Sequence, residues 1–447
     1  MEILEMIEKM LEHVKEKRDE IISDSLKLID IPSLTRNIDD NRRCLDYIAL
    51  SAQSEGMKIR YTKKRDCLVL EIGEGEETIG VLTHVDVVDA GDLSKWLTPP
   101  FKGIFDGDFI IGRGAMDDKV PTAIIFNIMK VLNSLDLDFK RKLQLIIGTK
   151  EEEEWTDMVS YLNEFRIPDF SFTPDGAFPI HNIEKGYADV VISFPFENIF
   201  PNGKIVTFES GDSPNTIPSK GSFVFHQSAK DSTIELLSSG KSSHSSLPEN
   251  GDNALTKLCG LIKDIKLESE RFNQIIDFIM LMNNIYDGSS LGFENNDNQF
   301  NGEFIGETYV NPTKLCFRDY RVLLNINIRH KLGVNQQSIV DIFEKHGKLF
   351  DFEFKISNYL DPLYVEKEHP MFDLMEKAYI EVTGNKGGFD LAGGTSYAKA
   401  LPNTVSWGPV FPGENDTCHQ ENERISMDSV MKCTEIYARF LYKACIE

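Results

Sequence analysis

Two adjacent carboxylates, Asp117 and Asp118, end the glycine-punctuated turn Gly112-Arg113-Gly114-Ala115-Met116, directly before the apolar run Val120 to Leu132. Ile124, Ile125, Ile128, Met129 and Leu132 recur at helical spacing, so the acid pair stands where a loop enters a helix. Taken alone, such a pair reads as a helix cap, because acids gain from the exposed N–H groups of a first turn. Its company changes the reading. His84, Glu151, Glu152, Asp175 and His419 all follow short apolar runs or sit in Gly/Pro-marked loops. Mixed His and carboxylate donors suit Zn²⁺, Mn²⁺ or Co²⁺, and the set together reads as a two-metal hydrolase site.

Each donor needs an element to carry it. The apolar run Ile79 to Thr83 reads as a buried strand that delivers His84-Val85-Asp86 at its C-terminal end, where open α/β sheets collect ligands. A His after a strand is often only a satisfied structural residue. Asp86, two residues on, could accept the second ring N–H of a ligating His84 and fix its tautomer. Lys142 to Gly148 is a further strand, ending at Thr149-Lys150-Glu151-Glu152-Glu153-Glu154-Trp155. Four consecutive Glu residues are usually a solvated run, a reading less expected directly off a buried strand. Phe172-Thr173-Pro174-Asp175-Gly176 repeats the pattern of strand, then acid. With helices between, this describes an α/β fold whose sheet edge is loaded with ligand-type residues.

The chain around these elements has 447 residues, enough for two domains with cores of their own. Hydrophobic residues make up 41% and charged residues 27%, as in an ordinary globular protein. The net charge of −24 repels nucleic acid and anionic membrane surfaces. Seven scattered cysteines without a C-x-x-C pair argue for reduced thiols, and the acidic, amphipathic N-terminus is unlike a signal peptide. No apolar run approaches the ~20 residues that span a bilayer. A cytoplasmic protein is expected.

His84-Val85-Asp86, Gly112-Arg113-Gly114-x-x-Asp117-Asp118-Lys119, Glu151-Glu152, Asp175 and His419 resemble the aminoacylase, carboxypeptidase G and carnosinase family of dinuclear metallopeptidases. Gly148-Thr149-Lys150, Trp155, Pro174-Asp175-Gly176-Ala177-Phe178-Pro179 and Phe411-Pro412-Gly413-Glu414 point within it to the bacterial PepV-type dipeptidases. The resemblance runs in order through the whole chain. It implies a catalytic domain of residues 1–186 and 362–447, with a mixed, largely parallel sheet flanked by helices. An α+β lid of residues 187–361 is inserted into it.

It further implies two divalent metal ions, Zn²⁺ before Mn²⁺ or Co²⁺. Asp117 would bridge them, with a cis peptide to Asp118. His84 and Asp175 would complete one site, and Glu152 and His419 the other. Glu151 would be the general base on a bridging water, and Asp86 the orienter of His84. Val120 and Asp89 depart from the family pattern at non-ligand positions. The implied substrate is a dipeptide, and the long lid implies a monomer. A deacylase of N-acyl amino acids or a carboxypeptidase of the same family would use the same metals, and a metal-binding protein with a dead site is the alternative from another class.

In the lid, the loop Gly240 to Pro248 carries His244, by itself an exposed loop His and in the resemblance the stabiliser of the oxyanion. Arg329 ends the strand Asn325 to Arg329, either as a surface charge or as the family's grip on a terminal carboxylate. Asn215 is its helper or a turn residue. Gly393-Gly394-Thr395 is expected to open a helix whose N–H groups either cap it or hold a carboxylate. Cys418, beside His419, is left as a bystander.

Overall fold

The structure is a computed structural model that describes residues 2–228, 231–294 and 296–447. The chain divides into two compact units. One runs to Asn182 and resumes at Val365–Asp390 and Ser396–Glu447, and the other comprises Ile183–Tyr364 and Leu391–Thr395. Gly393, Gly394 and Thr395, expected in the first domain, thus cluster with the inserted unit.

Most of a nine-stranded sheet lies in the first unit, and its margin strand Leu363–Tyr364 belongs to the other. Thr78–His84 lies parallel to Lys142–Gly148 on one side and to Phe170–Thr173 on the other, and Phe170–Thr173 pairs in parallel with Thr404–Ser406. Antiparallel strands flank this parallel centre: Lys58–Tyr61 and Leu68–Ile72 at one margin, Ile180–Glu184 and Leu363–Tyr364 at the other. The central strands are buried on both faces, which is why Thr78–His84 and Lys142–Gly148 are rich in Val, Ile and Leu. The helix Lys119–Ser134 packs on the sheet and against Arg18–Ile29 and Met427–Cys445. Residues 93–114 form a short 3₁₀ turn and the small hairpin Ile104–Phe105 and Phe109–Ile111, which pairs with Arg424–Ser426.

The inserted unit is a seven-stranded, wholly antiparallel sheet with three helices, Ala254–Asp264, Glu270–Met280 and Gln336–Phe350. In its core Phe208 meets Phe223 and Phe272 edge-on, and Phe194 meets Phe278 in the same way. Asn253, Ser269 and Asn335 cap the three helices through their side chains, satisfying N–H groups the first turn leaves open. Among the described residues no helix is long and apolar enough to cross a membrane.

Gly393 to Ser396 does not open a full helix. Ser396 caps only the 3₁₀ turn Tyr397–Lys399, because Pro402 follows too soon for a longer helix to close its hydrogen bonds.

Candidate metal centre

His84 is the last residue of its strand and fully buried, and its Nδ1 faces the Asp86 main-chain oxygen at 3.0 Å and the Asp86 Oδ1 at 3.3 Å. That leaves Nε2 pointing the other way, 2.9 Å from Asp117 Oδ1 and 3.7 Å from Asp175 Oδ2. The second Asp117 oxygen, Oδ2, lies 3.0 Å from His419 Nε2, which is also 3.0 Å from Glu152 Oε2. Asp117 therefore divides its two oxygens between two groups: His84, Asp117, Asp175 and Asp117, Glu152, His419. The Asp117–Asp118 peptide is cis.

His84 Nε2 and Asp117 Oδ1, although close, make no hydrogen bond of acceptable geometry with each other or with any other described group. Two buried polar atoms this close that make no hydrogen bond suit a cation between them, since leaving both unsatisfied is costly. The donor set, one imidazole nitrogen and carboxylate oxygens in each group, fits Zn²⁺-like metals as well. Without a cation, burial opposes a charged ring at His84, but Asp117, Asp175 and Asp86 outweigh it and hold the imidazole protonated well above its usual range. Glu152 is pushed up to about 7, chiefly by burial. Burial and the Asp175 carboxylate drive Glu151 well above the usual carboxylate range.

Glu151 and Glu152 lie in the turn after Lys142–Gly148, and two carboxylates hold that turn by its backbone. Asp86 Oδ1 accepts from Glu151 N at 3.2 Å and Oδ2 from Glu152 N at 3.3 Å, while Thr35 Oγ1 donates to Oδ2 at 2.8 Å. The Asp86 side chain thus spends more of its capacity on this turn than on His84. Asp157 Oδ2 accepts from Thr149 N at 2.6 Å, Lys150 N at 2.9 Å and the Tyr397 hydroxyl. A Cβ at Gly148 would collide with that hydroxyl and that carboxylate, so only glycine fits. Trp155 Nε1 donates to Glu151 O at 2.6 Å.

On the other side, Glu423 is fully buried. Its Oε2 accepts from Arg113 Nη1 at 2.7 Å and Gly114 N at 3.0 Å, and its Oε1 from Met116 N at 2.8 Å and Asp117 N at 3.2 Å. Asp157, Tyr397 and Glu423 were not legible as site residues. Glu423 stands only four residues after His419, the one signal that could have marked it.

In the inserted unit, Ser245 joins the three expected residues. Its N donates to Asn215 O at 2.9 Å, its Oγ accepts from Arg329 Nη2 at 3.4 Å, and it follows His244 directly. His244 Nδ1 meets Ser246 Oγ at 2.6 Å. Arg329 is buried, lies 4.6 Å over the Tyr187 ring and donates from Nε to Asn327 Oδ1 at 3.3 Å. Asn327 and the Tyr187 hydroxyl in turn hold the two oxygens of Asp189. Gly393 lies against Ser246 of the same unit.

Residues 80–443 match the model of peptidase family M20/M25/M40. A Bacillus subtilis protein named "Putative dipeptidase YtjP" is 31% identical over 405 residues, covering 84% of each chain. Human carnosine dipeptidase 1 shares the fold at a TM-score of 0.64 and 16% identity, over 97% of this chain and 98% of its own. The YXEP protein of Bacillus subtilis, described as a dinuclear metal binding peptidase, does so at 0.58 and 12%, over 96% and 98%. The chain is a member of peptidase family M20/M25/M40.

Proposed function

We propose that the chain is a dinuclear metal-dependent dipeptidase. The observation that carries the reading is the division of the Asp117 carboxylate between two His-containing groups. The dipeptidase name of the Bacillus subtilis relative supports the substrate class. Two divalent cations, Zn²⁺ by donor type, held by His84, Asp117 and Asp175 and by Asp117, Glu152 and His419, would acidify a water and polarise the scissile carbonyl.

The chain's own residues do the rest. Asp86 keeps the His84 proton on Nδ1 and so presents Nε2 as a donor atom. Glu151, beside Glu152 and Asp175, takes the proton of the attacking water on its carboxylate and returns it to the leaving amine. His244 stabilises the oxyanion with its ring N–H. Arg329, steered by Asn327 and Tyr187, grips the terminal carboxylate of the substrate, with Asn215 and the Gly393-Gly394-Thr395 segment as helpers. All seven cysteines are free thiols, in keeping with a cytoplasmic enzyme, and we take it to act as a monomer.

Free, N-acylated and C-amidated dipeptides should be offered to the protein, with metal analysis of the same sample. Fast cleavage of free dipeptides and two metal equivalents are expected. Preference for N-acyl amino acids, or a single equivalent at full activity, would overturn the reading.

A further inference from the structure

The Glu423 carboxylate accepts four hydrogen bonds from the segment that ends in Asp117. It belongs to the loop that carries His419, and further contacts tie the same two segments. Gly112 N donates to Glu423 O at 3.0 Å, and Thr417 N approaches Met116 Sδ at 3.5 Å. Arg113 closes the arrangement by donating to Asp89 O at 3.1 Å and lying 5.4 Å from the centre of the Trp96 ring. Hydrogen bonds from backbone N–H groups to a carboxylate are charge-assisted and stronger than neutral ones, so they hold the main chain that donates them. Asp117 and His419 are two of the three residues of one ligand group, and Glu423 spans the loops that bear them.

We propose that Glu423 is a positioning residue that sets the spacing of Asp117 and His419, and through it the affinity of the Asp117–Glu152–His419 group for its cation. This rests on the metal-centre reading above. It does not require that the substrate be a dipeptide.

The test is metal affinity of the full chain, stripped with a chelator and titrated with Zn²⁺ against a chromophoric competitor, with the Co²⁺ absorption spectrum as a second readout. E423Q keeps the shape but turns an amide NH₂ toward N–H donors. It should weaken one of the two equivalents roughly 10–100-fold, the range for residues that hold ligands in place. The Co²⁺ spectrum should change, and excess Zn²⁺ should restore kcat at unchanged KM. If E423Q does not fold, E423D serves: it keeps the charge but cannot reach all four donors, so the same equivalent should weaken. D24N, which breaks the buried contacts of Asp24 with Lys130 and Asn127, is the control for general destabilisation. Two equivalents bound as tightly as in wild type, or an equal loss in D24N, would overturn the proposal. Failure to cleave dipeptides with metal affinity altered as expected would overturn only the proposed activity.

Discussion

Glu151 and Glu152 are neighbours with different surroundings, and they should fail differently. Glu152 faces His419 at 3.0 Å, whereas burial, with the Asp175 and Glu152 charges, raises the proton affinity of Glu151. Glu151→Gln should cost about 10²–10⁴-fold in kcat, the contribution of acid–base catalysis, with two metals still bound. Glu152→Gln should lose metal first, and the reverse pattern in metal analysis would exchange the two roles. Arg329 has a different signature. Arg329→Ala removes a charge-assisted contact of about 1.5–3 kcal/mol, so hydrolysis of free dipeptides should fall by roughly 10–150-fold. Arg329→Lys should recover only part, because an ammonium lacks the planar fork. C-terminal amidation should slow the wild type strongly and Arg329→Ala little, and equal cleavage of amides and free dipeptides by the wild type would end this role.

At the scale of elements, the turn after the strand Lys142–Gly148 hangs on a buried acid with an unusual proton affinity. Burial outweighs the Tyr397 and Thr149 hydrogen bonds and pushes Asp157 from 3.8 to about 6. Between these values the folded chain keeps the proton while the unfolded chain releases it, so this group's contribution falls as pH rises from about 4 to 6 and is flat above. The gap of about two pH units corresponds to about 3 kcal/mol. Denaturant melts of wild type and D157N should therefore differ by an amount that changes across this window and is constant outside it. A constant difference throughout would show that Asp157 titrates normally. The strands that end at His84, before Asp175 and before Glu151 were legible because each is a buried apolar run closed by a ligand-type residue. Asp157 and Glu423 were not, because their partners are mostly backbone N–H groups, which leave no trace in residue type. The helix expected after Gly393 failed for a local reason, the early Pro402.

For the whole molecule, a charge of −24 favours cation accumulation and opposes anionic partners, whatever the fold. Topology matters more. The chain leaves the first unit after Asn182 and re-enters it at Val365, whose N–H donates to Asn182 O at 2.9 Å, so the ends of the insertion are one hydrogen bond apart. Yet the strand Thr404–Ser406 sits between Phe170–Thr173 and Ile180–Glu184, and His419 lies later still. During synthesis the ribosome thus delivers nearly all of the inserted unit before the sheet that surrounds it in sequence can close, an order opposite to the usual N-terminal-first rule. Translation stalled with residues to 364 outside the exit tunnel should yield a protease-resistant body beginning near Ile183, while the segment before it is digested. The unit that carries the two His–carboxylate groups would be the last to become a folded object, waiting on a strand of three residues.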